Sequence, residues 1–202
     1  STLSTAQLAA MSTTQVRGIS AAGVAALTST QASTLSADRM AALTTDQAVA
    51  LTTAQFAALG STQIAALSTA QWAAVETRDV AKLTSAALAG LTTEQVVAMT
   101  TDQLVALSGA QVGSLSTDQV VSLTASQIEN LTTAQISKLT ETQIDKMTTA
   151  QIKAIETADL VKMTASQLKA ITTAGVKAML ADQLTALTTD QISELTVEQV
   201  GV

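Results

Sequence analysis

Hydrophobic positions along the chain fall into two interleaved series with a period of eight. Stepping by eight from Leu3 gives Met11, Ile19, Leu27 and so on to Leu195, and all 25 of these residues are Leu, Ile, Met or Val. Five residues after each comes a second series, Leu8, Val16, Val24, Ala32, Met40, Ala48, Phe56, Ile64, Trp72 and onward to Val200, and all 25 of these are apolar. Between them, position two is Ser or Thr in 21 of 25 octads, failing only at Gly60, Glu76, Glu156 and Leu180. Position five is Gln in 19 of 25. The consensus is Leu-Thr-Thr-x-Gln-Ile-x-Ala, as in Leu51 to Ala58. Self-similarity at a fixed period is the signature of a repeat architecture. No composition break or Gly/Ser linker interrupts it, so residues 1–202 read as one continuous array with no domain boundary.

Each octad carries the signals of a helix start. A hydroxyl at position two with Gln three residues on is a capping box, in which the hydroxyl accepts from the Gln backbone N–H and the Gln side chain reaches back to the cap. Position one then precedes the cap and position six is the fourth helical residue, the two ends of a hydrophobic staple. About five or six residues per octad are left to be helical once cap and exit turn are set aside.

Charge placement points the same way. Eight of the 16 acids stand at position four, in the first turn: Asp38, Asp46, Glu94, Asp102, Asp118, Asp182, Asp190 and Glu198. All seven Lys stand at positions seven and eight, at the helix end. The helix dipole favours this sorting by roughly 0.3–1 kcal/mol per charge.

Two other folds compete. In one long helix an eight-residue step advances the apolar stripe by about 80°, so the stripe winds away from any one partner. In a strand the spacing of five puts the two series on opposite faces, which suits a β-solenoid. Ala and Gln are poor strand formers, however, and Gly for corners is scarce. The expected fold is all-α: a solenoid of short capped helices, one per octad, stacked two to four to a coil into an elongated rod with a narrow aliphatic core. Small residues at position eight should let successive helices approach closely.

Composition removes several chemistries. The chain has no Cys and no His, so disulfides, zinc–sulfur sites and Ser–His or Cys–His catalysis are excluded within it. Aromatics make up 1% and charged residues 13%. A net charge of −6 disfavours nucleic acid and anionic membranes. No uncharged run is apolar enough to span a bilayer. Ser1 is followed at once by the repeat, so no signal peptide is visible, and the chain reads as a processed product or a piece of something longer.

Candidate chemistry is sparse. Thr pairs such as Thr44-Thr45 and Thr132-Thr133 suggest a hydroxyl array for ice or glycan, or simply a cap followed by a tolerated first-turn residue. On the second reading Thr133 is exposed and uninvolved, and truncation should hurt most at Ile136, then Thr132, then Thr133. The Gln series suggests an amide ladder along the solenoid, or capping alone. Glu76/Asp79 and Glu156/Asp159 replace the capping pair and suggest a thin cation site or a cap made with carboxylate oxygens. The two pairs lie ten octads apart, which hints at duplication of a larger block. Trp72 and Phe56 read as core plugs. Lys138 to Lys177 gather six of the seven Lys, interrupted by acids, and read as a solvated ridge. Gly23, Gly175 and Leu180 mark weaker helix starts. No catalytic, cofactor-binding or metal residue is assigned and no cofactor is expected.

The string Leu-Thr-Thr-Ala-Gln-Ile at residues 131–136 resembles octapeptide arrays of large, repetitive bacterial proteins that are secreted or surface-associated and adhesin-like. The resemblance covers essentially the whole chain. It implies an extracellular or cell-surface setting and a non-catalytic stalk or spacer, whose partners are adjacent modules of a longer parent chain. The alternative is a regular binding surface for ice, glycan or a protein partner. Positions three, four and seven drift, with position seven holding Ala, Val, Ser, Lys, Arg, Glu, Asp, Gly and Thr, and that drift favours the spacer.

Overall fold

A computed structural model describes residues 3–201 of the chain. Among them each octad forms one α-helix of four to six residues, 25 in all, and no strand occurs. The helices begin where the capping signals fall. In Leu131–Lys138, Thr132 takes an extended conformation, its hydroxyl accepts from the Gln135 N–H, and the helix runs Thr133–Ile136. The ends are nearly as regular. In most octads the N–H of the following position-one residue turns back to the position-six carbonyl, as Leu131 does to Ile128 at 3.1 Å, and the next residue is already the next cap. No described residue has a positive φ, so the turns need no glycine, which explains how a chain with eight Gly makes so many.

Helices this short are not stable alone, because nucleation is costly. Stacking supplies the stability. The chain divides into two compact units, Ser1–Ala106 and Leu107–Val202, and within each unit helices pack on those three octads away. Three octads therefore make one coil. In the first unit, one face stacks α1 (Thr5–Ala10), α4 (Ser29–Ser33), α7 (Thr53–Ala57), α10 (Thr77–Val80) and α13 (Thr101–Val105) in succession. A second face begins with α2 (Thr13–Arg17) on α5 (Ala37–Ala42), and a third runs from α3 (Ala21–Ala25) through α6 (Thr45–Val49), α9 (Thr69–Ala74) and α12 (Thr93–Ala98). The second unit repeats the rule, as in α16 (Ala125–Glu129) on α19 (Thr149–Ala154) on α22 (Thr173–Ala178) on α25 (Val197–Val200).

Both apolar series point inward. Position-six residues from Leu8 to Leu168 are almost completely buried, and position-one residues from Leu35 to Met179 are buried as well. The three-octad coil also explains the two largest side chains. Phe56 sits three octads after Ala32, and Trp72 sits three octads after Ala48; these are the only two Ala in the position-six series. The helices concerned, α4 with α7 and α6 with α9, are packed together. Each aromatic thus stacks on the smallest residue of its series, which keeps the summed volume near that of two aliphatic side chains, as close packing requires. The core-plug expectation for Phe56 and Trp72 holds, and both are fully buried.

Small residues set the closest approach. A Cβ on Gly90, at position eight, would lie 2.2 Å from the Ser61 carbonyl oxygen, and one on Gly113 would lie 2.5 Å from that of Lys138. Both glycines let a helix end lie directly on the backbone of the neighbouring coil.

Candidate functional site

The position-five amide uses both its ends. Gln151 is the type case and is buried. Its Oε1 accepts from the Thr148 N–H at 2.9 Å, and its own N–H donates to Thr148 Oγ1 at 3.2 Å, which is the expected capping box. Its Nε2 then donates to the carbonyls of Val120 at 2.8 Å, Val121 at 3.1 Å and Leu123 at 2.8 Å, all in the coil before. Those carbonyls close the helix Thr117–Ser122. One side chain thus caps the start of its own helix and the end of a helix from an earlier coil, satisfying orphan groups at both termini.

The pattern recurs at fixed separations. Gln55 reaches Val24 and Leu27, Gln95 reaches Ile64 and Leu67, and Gln183 reaches Ile152 and Ile155, always 31 and 28 residues back. Capping alone therefore does not account for the Gln series. The ladder that the sequence suggests exists, but as amide-to-backbone stitches between coils rather than amide-to-amide contacts.

Substitutions at position five show what it must supply. Arg39 replaces Gln in one octad and still stitches, donating from Nε to the Met11 carbonyl, 28 residues back, at 2.8 Å. It gives up the cap, since Ser36 makes no cap bond and instead accepts from Arg39 at 2.9 Å. Asp79 and Asp159 have no donor and cannot stitch. Each is buried and accepts at 2.5 Å from a hydroxyl 26 residues back, Thr53 for Asp79 and Thr133 for Asp159. Their companions Glu76 and Glu156 form no side-chain cap, so the carboxylate-cap reading of these octads is corrected: a carboxylate at position two is not positioned on the helix N–H groups. Arg78 lies 2.5 Å from Glu76 and 3.8 Å from Asp79. Among the described residues no three His, Cys, Asp or Glu side chains come together.

The remaining candidates fall out as follows. Gly23 and Gly175 leave half a box: each glycine N–H donates to the cap hydroxyl, of Ser20 or Thr172, at 3.0 Å, without the returning Gln. Leu180 leaves the other half, with Gln183 accepting its N–H at 2.9 Å. Gly60, which also lacks the hydroxyl, does the same with Gln63 at 3.0 Å. In the Lys138 to Lys177 stretch the side chains are largely solvated, and Lys169 meets Glu194 at 2.6 Å, one coil on. That ammonium holds the Glu194 carboxyl below its ordinary range. Backbone and Thr92 hydroxyl donors do the same for Glu94 at its helix start. The sequence pattern leaves Thr133 uninvolved, and the structure corrects this. Its bond to Asp159 follows from no local motif, because it depends on which octads face each other.

A chain of capped octads, coiled three to a turn and stitched through position five, defines a repeat protein of the helical solenoid class. The model of the ALTTAQ repeat matches residues 1–37, 40–75, 72–109, 104–133 and 152–189, and the chain belongs to that family. Comparison with curated proteins finds no match. No helix among the described residues is long and apolar enough to cross a membrane.

Proposed function

We propose that the array is a non-catalytic spacer, a single continuous stalk region of a larger secreted or surface protein of bacterial origin, with adjacent modules of that protein as its partners. One observation carries this reading. The four most regular positions have internal jobs: positions one and six fill the core, position two caps, and position five caps and stitches. Positions four and seven drift and are mostly exposed, while position three is Ser or Thr in 17 of 25 octads and is mostly exposed at the first helical turn. A binding face needs regular exposed residues, whereas a spacer needs only a regular interior. The likeness of the octads to those of repetitive bacterial surface proteins supports the setting.

The test has two arms. Excising residues 131–154, one whole coil, from the chain carrying a fluorophore near each end should leave helix content per residue unchanged and change the end-to-end distance by one coil. The chain should also show no saturable binding to a glycan panel and no inhibition of ice recrystallisation. Saturable binding that is lost when exposed Thr45, Thr93 and Thr101 become Val would contradict the spacer reading and favour the binding surface.

A further inference from the structure

Where position five is not Gln, carbonyls of the coil before lose their donor. Counting 28 and 31 residues back from Asp159 leads to Leu131 and Ile128, the pair that an amide would hold. Both residues are buried. The Ile128 carbonyl accepts only locally, as from the Leu131 N–H at 3.1 Å, and the Leu131 carbonyl accepts no hydrogen bond. Asp159 itself is 4% exposed. One of its oxygens takes the Thr133 hydroxyl, two residues after Leu131, and the other takes no hydrogen bond. The helices Thr133–Ile136 and Thr157–Leu160 are packed together. Oxygens without donors therefore gather where a consensus octad places its amide nitrogen.

Asp79 stands in the same setting within the first unit, beside a Leu51 carbonyl that accepts no hydrogen bond, but its charge is answered differently. The Arg78 guanidinium lies 3.8 Å from the Asp79 carboxylate. The corresponding residue beside Asp159 is Ala158, and Asp159 forms no ion pair. A carboxylate taken out of water needs a counter-charge or a metal. The surroundings of Asp159 add negative charge instead. Glu129, next to Ile128, and Glu156, at the start of the Asp159 helix, line one recess of about 330 Å³ with Asp182 and Lys153, and Lys153 forms no ion pair.

We infer that the Asp159 carboxylate and the carbonyls of Leu131 and Ile128 bind a hard divalent cation, calcium by preference, which takes over the amide's stitch between coils. All the donors are oxygens, and calcium accepts backbone carbonyls in irregular geometry where magnesium demands a near-ideal octahedron. Water completes the ligand shell. The cation reading of Glu156/Asp159 thus returns with a different ligand set, one carboxylate and two carbonyls of the facing coil rather than two carboxylates of one octad. A single coordinating carboxylate keeps the affinity low, with a Kd of about 10⁻⁴–10⁻³ M.

Carbonyl carbon-13 resonances of the full chain, followed while calcium chloride is added at constant ionic strength, test this. The Leu131 resonance should move saturably, and equal magnesium chloride should leave it in place. The Met147 carbonyl, which faces Gly175 and so lacks both amide and carboxylate, should stay still throughout. Asp159→Gln restores the consensus amide and should abolish the shift. Ala158→Arg keeps the carboxylate but supplies the guanidinium that Asp79 has, and should weaken calcium binding at least 10-fold. Arg78→Ala, at an exposed side chain, should bring Leu51 into the response as a second site. Circular dichroism checks that each variant remains folded. No saturable shift at Leu131, the result if a bridging water alone serves these oxygens, would overturn the proposal. So would a shift that survives Asp159→Gln, undiminished binding in Ala158→Arg, or a Leu51 carbonyl that stays still in Arg78→Ala.

Discussion

The hydroxyl of Thr133 donates to the buried carboxylate of Asp159 at 2.5 Å, across 26 residues of sequence. Asp159 stands where Gln would stitch, and Thr133 supplies the donor that the shorter carboxylate needs. Thr133→Ala should therefore cost about 1–3 kcal/mol, the penalty for stripping a buried polar group of its partner. Thr132→Ala, which removes one cap bond, should cost about 0.5–2 kcal/mol. Ile136→Ala should still cost most, about 2–5 kcal/mol. The check is a double-mutant cycle by denaturant unfolding: Asp159→Gln restores the consensus and should rescue Thr133→Ala, because the amide brings its own donor. Additive losses would show that the two residues are uncoupled.

Volume pairing across one coil should be exchangeable. Ala48→Leu alone should overpack against Trp72 and cost about 1–3 kcal/mol. Trp72→Ala alone should cost about 3–5 kcal/mol by opening a cavity. The double variant should lose clearly less than the sum, measured by the same unfolding curves, because the added volume fills the hole. The Trp72 indole N–H is buried without a partner, so Trp72→Phe should cost less than its loss of volume implies.

Gly90→Ala should be destabilising, although where the backbone tolerates such a change it gains about 0.4–1 kcal/mol. The new Cβ would meet the Ser61 carbonyl oxygen at 2.2 Å, and backbone cannot give way as a side chain does. Gly60→Ala, where the nearest atom is 3.9 Å away, is the control and should be near neutral. Thermal melts of the two variants decide it.

Much of the fold is legible in single octads. Thr148 and Gln151 announce a helix start between them, because a capping box is a local motif. Met147 reads as core at position one and Ile152 at position six, since any aliphatic side chain there fits the period. The number of octads per coil is not legible in those residues, because nothing within one octad says which other octad it meets. One long-range signal does carry it: Ala32 with Phe56 and Ala48 with Trp72 share a spacing of three octads, as small–large pairs must when they face each other. The second duty of Gln151 is hidden for the same reason, since its cap already explains its presence.

The absence of Cys makes the coil number directly testable. With Glu194→Cys held fixed, partner cysteines at Lys177, Lys169 or Val161 report two, three or four octads per coil. Three per coil predicts rapid oxidation of the 169/194 pair, whose native side chains meet at 2.6 Å, and slow oxidation of the other two.

The stitch itself is tested most directly by hydrogen exchange on Gln151→Met. Methionine has about the length of glutamine but neither a donor nor an oxygen acceptor. Thr148→Ala is the comparison, because it removes only a cap hydroxyl and leaves the amide in place. Both should loosen residues 148–154. Only Gln151→Met should also raise exchange at residues 120–124, the helix end that the Gln151 amide holds from the next coil. Unchanged protection at 120–124 in Gln151→Met, or an equal loss in Thr148→Ala, would contradict the account.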